Sequence, residues 1–412
     1  MIRKNHQMAE QCCASSPSGE ARRNMIAICT GLCAALVVQT MLLVTIPLYA
    51  LSLGANPAMT GAILSLPYLL PLLFAIAMGG AVTRFGAKNV LILGAAGLGL
   101  SPSAVLIAPG YLGVVLAQLL SGLGHTLMVL AAQSIVASLG SGRSLEKYFG
   151  WYAMFVSVGQ LVGPVLAGWL IDFRGMDLSF WVMIAPSLAG LVSGFFLVGG
   201  ARRAQKTEGE AILYSAQIRL LTSNSGIQLS LAVTVPVVFA LGAVTNFLPV
   251  YLENLELPAT TIGALLSFRA LCSVVVRPFT PLIVDLARGR PRAMILSVAG
   301  VGFGLTFTGM TSSVFLLGGL MALVGLGCGV SQPLSMVVLA ENAPKTQRAS
   351  AFGLRLTANR SVQFLAPLVV GFLAGHTNFG VAFLVAGVVV SASLIAITRL
   401  VREEGAAKRG RR

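Results

Sequence analysis

Apolar stretches of about 20 residues recur along the whole chain, and they limit the possible folds more than any other feature. A helix of about 20 residues is long enough to cross the hydrocarbon core of a bilayer, which is about 30 Å thick. Since lipid offers backbone groups no hydrogen-bond partner, such stretches cross it as helices. We predict an all-α membrane protein with twelve transmembrane helices, at residues 25–49, 57–80, 89–108, 111–139, 149–171, 178–199, 228–251, 259–283, 292–310, 313–340, 350–374 and 379–400.

The composition argues against a soluble protein and against an enzyme. Of the 412 residues, 56% are hydrophobic and only 10% are charged, whereas a soluble domain has about 25% charged residues. The sequence contains no metal-ligand cluster, nucleophile elbow or phosphate-binding loop, and its loops are too short to house a soluble active site. We therefore expect no enzymatic activity, no cofactor and no metal site. The first 24 residues are polar, so we expect a tail there and no cleaved signal peptide.

Lysine and arginine are concentrated on one side of the predicted helices. With the N-terminus inside the cell, nearly all of them fall in inner segments, and Arg174 alone lies in an outer loop. Cytoplasmic loops are enriched in these residues. We therefore predict a multi-pass protein of the cell (inner) membrane with both termini in the cytoplasm. The same asymmetry accounts for the net charge of +15, so the charge gives no reason to expect a nucleic-acid partner.

The two halves of the chain carry the same residue pattern. Gly61 recurs as Gly263, 202 residues later, and Pro164 recurs as Pro367, 203 residues later. Such a duplication predicts two pseudo-symmetric six-helix bundles with a binding site between them, near the bilayer midplane. The predicted units are an N-terminal tail at 1–24, a bundle at 25–200, a cytoplasmic linker at 201–227, a second bundle at 228–400 and a basic tail at 401–412.

Two motifs resemble those of major facilitator superfamily transporters. The loop after the second predicted helix resembles the superfamily's G-x-x-x-D-R-x-G-[RK]-[RK] motif, but Thr83 stands where the acid belongs. Its counterpart in the second half has Pro281 for the leading glycine and keeps Asp285. The fifth predicted helix resembles the G-x-x-x-G-P-x-x-x-G motif, which accompanies exporters in the superfamily. The matching residues are Gly79, Arg84, Gly86 and Lys88 in the loop, and Gly159, Gly163, Pro164 and Gly168 in the helix.

The resemblance covers all twelve predicted helices and carries expectations about fold and function. It implies the major facilitator fold, transport by alternating access, and a gating or conformational role for the motif residues and Asp285. In the superfamily the first, fourth, seventh and tenth helices line the cavity. The polar side chains at depth in these helices are therefore candidates for contact with the cargo, and they are Gln39, Gln118, Asn246 and Gln332.

Four arginines lie inside the predicted helices, whereas no acid lies near the middle of one. In the superfamily, exporters of lipophilic cations generally need an embedded carboxylate, so a cationic cargo is disfavoured. The rise of 1.5 Å per residue puts Arg269 and Arg360 about 15 Å deep, and Arg277 and Arg355 within about 10 Å of the cytoplasmic face. Since guanidinium binds carboxylates bidentately, we predict Arg269 and Arg360 as anion ligands. Arg277 and Arg355 are predicted as gating or interface groups; backbone or lipid contacts are the alternative for all four.

His125 is the only histidine at depth, and it is a candidate for proton coupling because an unperturbed imidazole titrates near pH 6.5. A neutral core histidine is the alternative interpretation. We predict a secondary active transporter, a monomer in the lipid bilayer, that exports a small anionic or amphipathic organic molecule. Two other functions stay open: a proton-coupled importer of an organic acid or another small solute, and a membrane receptor that does not transport.

Overall fold

The computed structural model describes residues 19–74, 81–82, 84–139, 143–197, 224–343 and 348–409. All twelve predicted helices occur in these ranges, which contain no β-strand, and this confirms the all-α membrane fold class. The helices are α1 (Gly19–Ser52), α2 (Pro57–Leu73), α3 (Ala87–Ile107), α4 (Tyr111–Ser138), α5 (Arg143–Arg174), α6 (Met176–Phe195), α7 (Ser225–Glu253), α8 (Ala259–Val275), α9 (Arg290–Thr308), α10 (Val314–Asn342), α11 (Arg348–His376) and α12 (Phe379–Arg409).

Several predictions fall on residues outside the described ranges. These are the tail before residue 19, most of the linker (198–223), the last residues of the second predicted helix (75–80, with Gly79) and Thr83. α12, which we expected to end at residue 400, continues to Arg409, and α1 starts at Gly19 instead of residue 25. Both extensions contain Arg, Glu and Ala, which are good helix formers and can continue a helix beyond the apolar run.

The eighth predicted helix occurs as one candidate membrane span, Ala259–Leu286, but it is not continuous. α8 ends at Val275 and is followed by a 3-10 turn, Arg277–Phe279, and a short helix, Thr280–Leu286. Pro278 and Pro281 cause the break, because a proline has no backbone N–H to donate into the helix.

The internal repeat of the sequence reappears as repeated packing. The ring of Tyr49 meets that of Phe180 edge-on at 5.5 Å, and the ring of Tyr251 meets that of Phe383 edge-on at 5.8 Å. Each pair joins the first helix of its half to the last. The two bundles thus contain the same aromatic contact at corresponding positions.

Two helix pairs form most of the contact between the halves: α2 packs against α11, and α5 packs against α8. We call the side of the membrane that holds the α1–α2, α5–α6, α7–α8 and α11–α12 connections the loop side. The side to which the two chain ends point is the terminal side. The two helices of each pair cross the membrane in opposite directions. A residue near the start of one helix is therefore level with a residue near the end of the other.

Glycines bring these two helix pairs together on the loop side. A Cβ at Gly61 would overlap the carbonyl oxygen of Pro367, and a Cβ at Gly263 would overlap that of Pro164. The two contacts are related by the repeat, since Gly263 and Pro367 are the counterparts of Gly61 and Pro164. Small residues allow such close approach between membrane helices. The same type of glycine contact therefore closes the loop side at two places that are related by the repeat.

The described contacts between the halves lie toward the loop side. Besides the two glycine contacts, Asp172 near the end of α5 accepts hydrogen bonds from Ala259 and Thr260 at the start of α8. Both of these positions belong to the loop side. We call the space between the halves on the terminal side the opening.

Candidate functional site

Arg360 lies at the inner end of the opening, where the α2–α11 contact ends. It is about level with Tyr68 of α2 in the register of that contact, and its charge is close enough to act on the Tyr68 hydroxyl and on the His125 imidazole of α4. Its described hydrogen bond is to Gln363 of its own helix, at 3.2 Å. The Nδ1 of His125 is buried and has no hydrogen-bond partner among the described residues. A cation, a phenol and an imidazole from both halves thus lie at one depth, and no hydrogen bond among the three is described.

Arg269 occupies the matching place in the other helix pair. Two residues before it, the Ser267 hydroxyl donates to the Leu161 carbonyl oxygen at 2.7 Å and so ties α8 to α5. The Nε of Arg269 is buried and has no partner among the described residues, and the neighbouring ionisable side chains in its electrostatic reach are Cys272 and Cys328. Both deep arginines therefore stand at the terminal-side end of a closed contact.

Arg355, which was predicted as a gating or interface group, is surrounded by protein. Its side chain is 5% exposed and donates to Thr234 of α7 at 3.3 Å and to Gln332 and Ser335 of α10 at 2.8 and 3.1 Å. Thr234 also donates to Ser335 at 2.9 Å. Arg355 thus joins α7, α10 and α11 inside the C-terminal half. Rise per residue gives the depth of a side chain but not the direction in which it turns.

The four polar side chains predicted to contact the cargo have different surroundings. Gln118 is 4% exposed and donates to the Ile63 carbonyl at 3.3 Å, and Asn246 is 1% exposed and donates to the Gly242 carbonyl at 2.7 Å. Both amides are bound within their own half, which favours a packing role over the expected cargo contact. The Oε1 of Gln332 accepts from Arg355, whereas the Oε1 of Gln39 is buried without a partner among the described residues.

The predicted exporter motif of α5 has two faces with different partners. A Cβ at Gly159 would lie 2.5 Å from the Leu36 side chain, and one at Gly163 would overlap Thr40, so these glycines pack α5 on α1 within one half. A Cβ at Gly168 would instead overlap the Ala259 carbonyl of α8. The last glycine and Pro164 therefore serve the contact between the halves.

Asp172 forms a further bond between the halves that the sequence analysis did not identify. Its carboxylate accepts from the backbone N–H of Ala259 at 2.9 Å, and from the N–H and hydroxyl of Thr260 at 2.7 and 2.5 Å. These donors belong to the first turn of α8, where the helix dipole favours an anion. The available signal was the position of this acid, four residues after Gly168. Tyr68 was missed because its meeting with Arg360 depends on the register of two helices distant in sequence.

The loop-motif residues on the terminal side hold helices of one half together. Gly86 precedes α3 with a φ of 83°, a conformation that favours glycine. Lys88 donates to the carbonyl oxygens of Phe195 and Leu197 at 3.3 and 2.7 Å, and the Arg84 guanidinium lies 5.3 Å from the Phe85 ring centroid. The motif thus connects α3 to the end of α6.

In the second-half loop the described ion pair is formed by Arg290 and not by the predicted Asp285. Asp285 and Arg277 are exposed. Arg290, at the start of α9, pairs with Glu341 near the end of α10 at 2.7 Å. This is the only ion pair within the described ranges, and it lies inside the C-terminal half. The motif residues remain candidates for gating.

Replacing Arg355 by alanine should lower stability. The change removes three hydrogen bonds and leaves buried polar groups of Gln332 and Ser335 without their donor, a loss of about 2–3 kcal/mol. Thermal melting of the purified protein in detergent measures it, with Arg277→Ala as the control because that exposed arginine lacks such bonds among the described residues. A melting temperature of Arg355→Ala equal to that of the control would contradict a role in joining these helices.

Comparison with known proteins places this geometry in a family. A family model described as the Major Facilitator Superfamily matches residues 28–285 and 230–412. The Cis,cis-muconate transport protein of Acinetobacter baylyi is 24% identical over 335 residues, which cover 75% of this chain and 77% of the relative. The Multidrug efflux protein YfmO of Bacillus subtilis is 26% identical over 374 residues, which cover 85% and 86%.

A solved structure supports the same fold. A bacterial homologue of the human lysosomal transporter Spinster, in an inward-facing and unoccupied conformation, superposes with a TM-score of 0.70 at 14% identity. The match covers 93% of this chain and 95% of that chain. The family model, the twelve helices and this superposition lead to one conclusion: the chain belongs to the Major Facilitator Superfamily and is a multi-pass membrane transporter, not an enzyme.

Proposed function

We propose that this transporter exports a small organic anion by alternating access, as a monomer. The observation that carries the proposal is the pair of deep arginines, Arg269 and Arg360, at the inner end of the opening between the halves. Neither has a hydrogen bond or ion pair to a carboxylate among the described residues. A buried cation without a counter-ion is costly, so its retention favours an anion supplied by the cargo.

The names of two relatives agree with this cargo and direction. Cis,cis-muconate, in the name of the Acinetobacter baylyi relative, is a dicarboxylate, and the Bacillus subtilis relative is named as an efflux protein. Two arginines match the two charges of a dicarboxylate, because each guanidinium can bind one carboxylate through two parallel N–H donors. Small organic acids with one or two carboxylates are therefore the cargo class we propose.

The distribution of basic residues sets the proposed orientation. Lysine and arginine are concentrated on the terminal side, so we place that side, with both termini, in the cytoplasm and the protein in the cell (inner) membrane. The glycine and Asp172 contacts between the halves then lie toward the outside, and we infer that this conformation is open to the cytoplasm. An exporter must expose its site there to collect cargo.

Membrane voltage is the proposed driving force. An anion that leaves a cell with a negative interior moves downhill by about 2.3 kcal/mol per charge per 100 mV. No Asp or Glu lies near the middle of a predicted helix, and voltage-driven export requires none. His125, near Arg360, is the observation that favours the second candidate, a proton-coupled importer.

Flux measurements in proteoliposomes separate the two mechanisms. With radiolabelled cis,cis-muconate inside, we expect efflux to accelerate when valinomycin and a potassium gradient make the interior negative, at equal pH on both sides. With the voltage clamped at zero, a pH gradient alone should have little effect. His125→Gln serves as the matched variant, and its efflux should keep the voltage response. Flux that follows only the pH gradient and vanishes in His125→Gln would establish the proton-coupled alternative instead. Cargo binding without any flux would support the receptor.

A further inference from the structure

A groove on the terminal side of the N-terminal half has the chemistry of a lipid site. It lies between α1 and α6 and has a volume of about 360 Å³. Ile26, Ala27 and Phe196 form apolar parts of its wall, and Arg22 and Arg23 lie at its terminal end. The Ile26 and Phe196 side chains are each 55% exposed. Apolar surface and two cations thus border the same space.

The end of α6 fixes the orientation of one of these cations. The Nε of Arg23 donates to the Phe196 carbonyl oxygen at 3.1 Å, and its guanidinium carbon lies 6.0 Å from the centroid of the Phe196 ring. Lys88 binds the carbonyl oxygens on either side, those of Phe195 and Leu197. The described hydrogen bond of Arg23 uses only its Nε, so its two terminal nitrogens can serve an oxyanion.

The charge of the lining favours an anionic occupant. No Asp or Glu is among the described residues that line the groove, whereas Arg22 and Arg23 are.

The depth of the groove matches a phospholipid. Arg22 and Arg23 directly precede the apolar run that starts at residue 25, which puts them at headgroup level. The groove extends from there along α1 as far as Thr30, past side chains that suit an acyl chain. Basic pockets between membrane helices bind anionic lipid headgroups.

We propose that this groove binds an anionic phospholipid, with the phosphate on Arg22 and Arg23 and one acyl chain along Ile26 and Phe196. A bound lipid would also brace the joint between α1 and α6, because its headgroup would contact the arginine that caps α6. The site is separate from the deep arginines, since the described residues that line it belong to α1 and the end of α6.

Native mass spectrometry of the full-length protein tests the proposal. Phosphatidylglycerol, and phosphatidylcholine as the zwitterionic reference, are titrated against the wild type and Arg22→Ala/Arg23→Ala. We expect the double variant to bind phosphatidylglycerol about tenfold more weakly, a loss of about 1.4 kcal/mol, with phosphatidylcholine unchanged. Arg399→Ala/Arg402→Ala removes the same charge from exposed positions of α12 and should bind like the wild type.

A second variant separates the groove from its charge. Thr30→Trp fills the apolar part of the groove and leaves both arginines in place, and it should also weaken phosphatidylglycerol binding. If the double variant does not fold, Thr30→Trp and the single variant Arg22→Ala are used in its place. An equal loss of phosphatidylglycerol affinity in the α12 control would show that only the general surface charge matters, and it would overturn the site. So would competition by free glycerol phosphate as strong as that by the lipid, or wild-type binding in both groove variants.

Discussion

Gly263→Leu should slow transport strongly by disfavouring closure of the loop side. A Cβ at this position would overlap the Pro164 carbonyl oxygen, which is backbone and cannot rotate away. Overpacking costs about 1–3 kcal/mol, and each 1.4 kcal/mol shifts a conformational equilibrium tenfold. We therefore expect the closed state to lose about 5- to 150-fold in population relative to the state open on the loop side.

Distances between spin labels on the two halves measure this shift. Arg174 of α5 and Asn254 after α7 are exposed and lie on the loop side in different halves, so cysteines there can be labelled in a background without the native cysteines. In Gly263→Leu we expect the distance between the two labels to be longer than in the protein without this substitution. Gly319→Leu is the control, because a Cβ at Gly319 has no neighbour within 4 Å. A wild-type distance distribution in Gly263→Leu would show that the contact is not needed for closure.

The repeat extends this result to two related variants. Gly61→Leu should have the same effect, since it is the counterpart of Gly263 and opposes the carbonyl of Pro367. Asp172→Asn should shift the equilibrium in the same direction but less, because the amide keeps one acceptor oxygen and loses the charge that suits the first turn of α8.

Arg360→Ala should remove most of the affinity for an organic anion. A hydrogen-bonded charge contact contributes about 1.5–3 kcal/mol, so the dissociation constant for cis,cis-muconate should rise about 10- to 150-fold. Arg360→Lys should recover part of the loss, because it restores the charge without the bidentate geometry. Isothermal titration of the purified protein gives these constants, with the exposed Arg277→Ala as the control.

The stability of the same variants separates cargo binding from a structural role. The charge of Arg360 has no described carboxylate partner, so its removal relieves a desolvation cost, and Arg360→Ala should melt at the wild-type temperature or above. Arg355→Ala should melt lower, because its bonds to Thr234, Gln332 and Ser335 are lost. Wild-type anion affinity in both Arg360→Ala and Arg269→Ala would refute the anionic cargo.

The helices and the repeat could be predicted from the sequence because both depend on the local pattern of residues. Hydropathy located all twelve helices, and the depth of Arg360 followed from its position along α11. The surroundings of a side chain depend on helix rotation and on register between distant helices. For this reason the partners of Arg355 could not be named from the sequence, and Tyr68 was overlooked. The break after α8 was available in the sequence as Pro278 and Pro281, but the apolar run concealed it.

The four membrane arginines all belong to the C-terminal half, and this asymmetry has an electrical consequence. In alternating access the water-filled crevice changes sides, so a fixed charge such as that of Arg360 is exposed first to the potential of one compartment and then to that of the other. Each unneutralised charge then contributes up to about 2.3 kcal/mol per 100 mV to the conformational equilibrium. An empty carrier with Arg269 and Arg360 uncompensated would be drawn toward the inward-open state by a negative interior. A carrier holding a dianion would be close to neutral, and its outward step would be nearly independent of voltage. The return of the empty protein, and not the passage of the cargo, would then be the step on which the membrane potential acts.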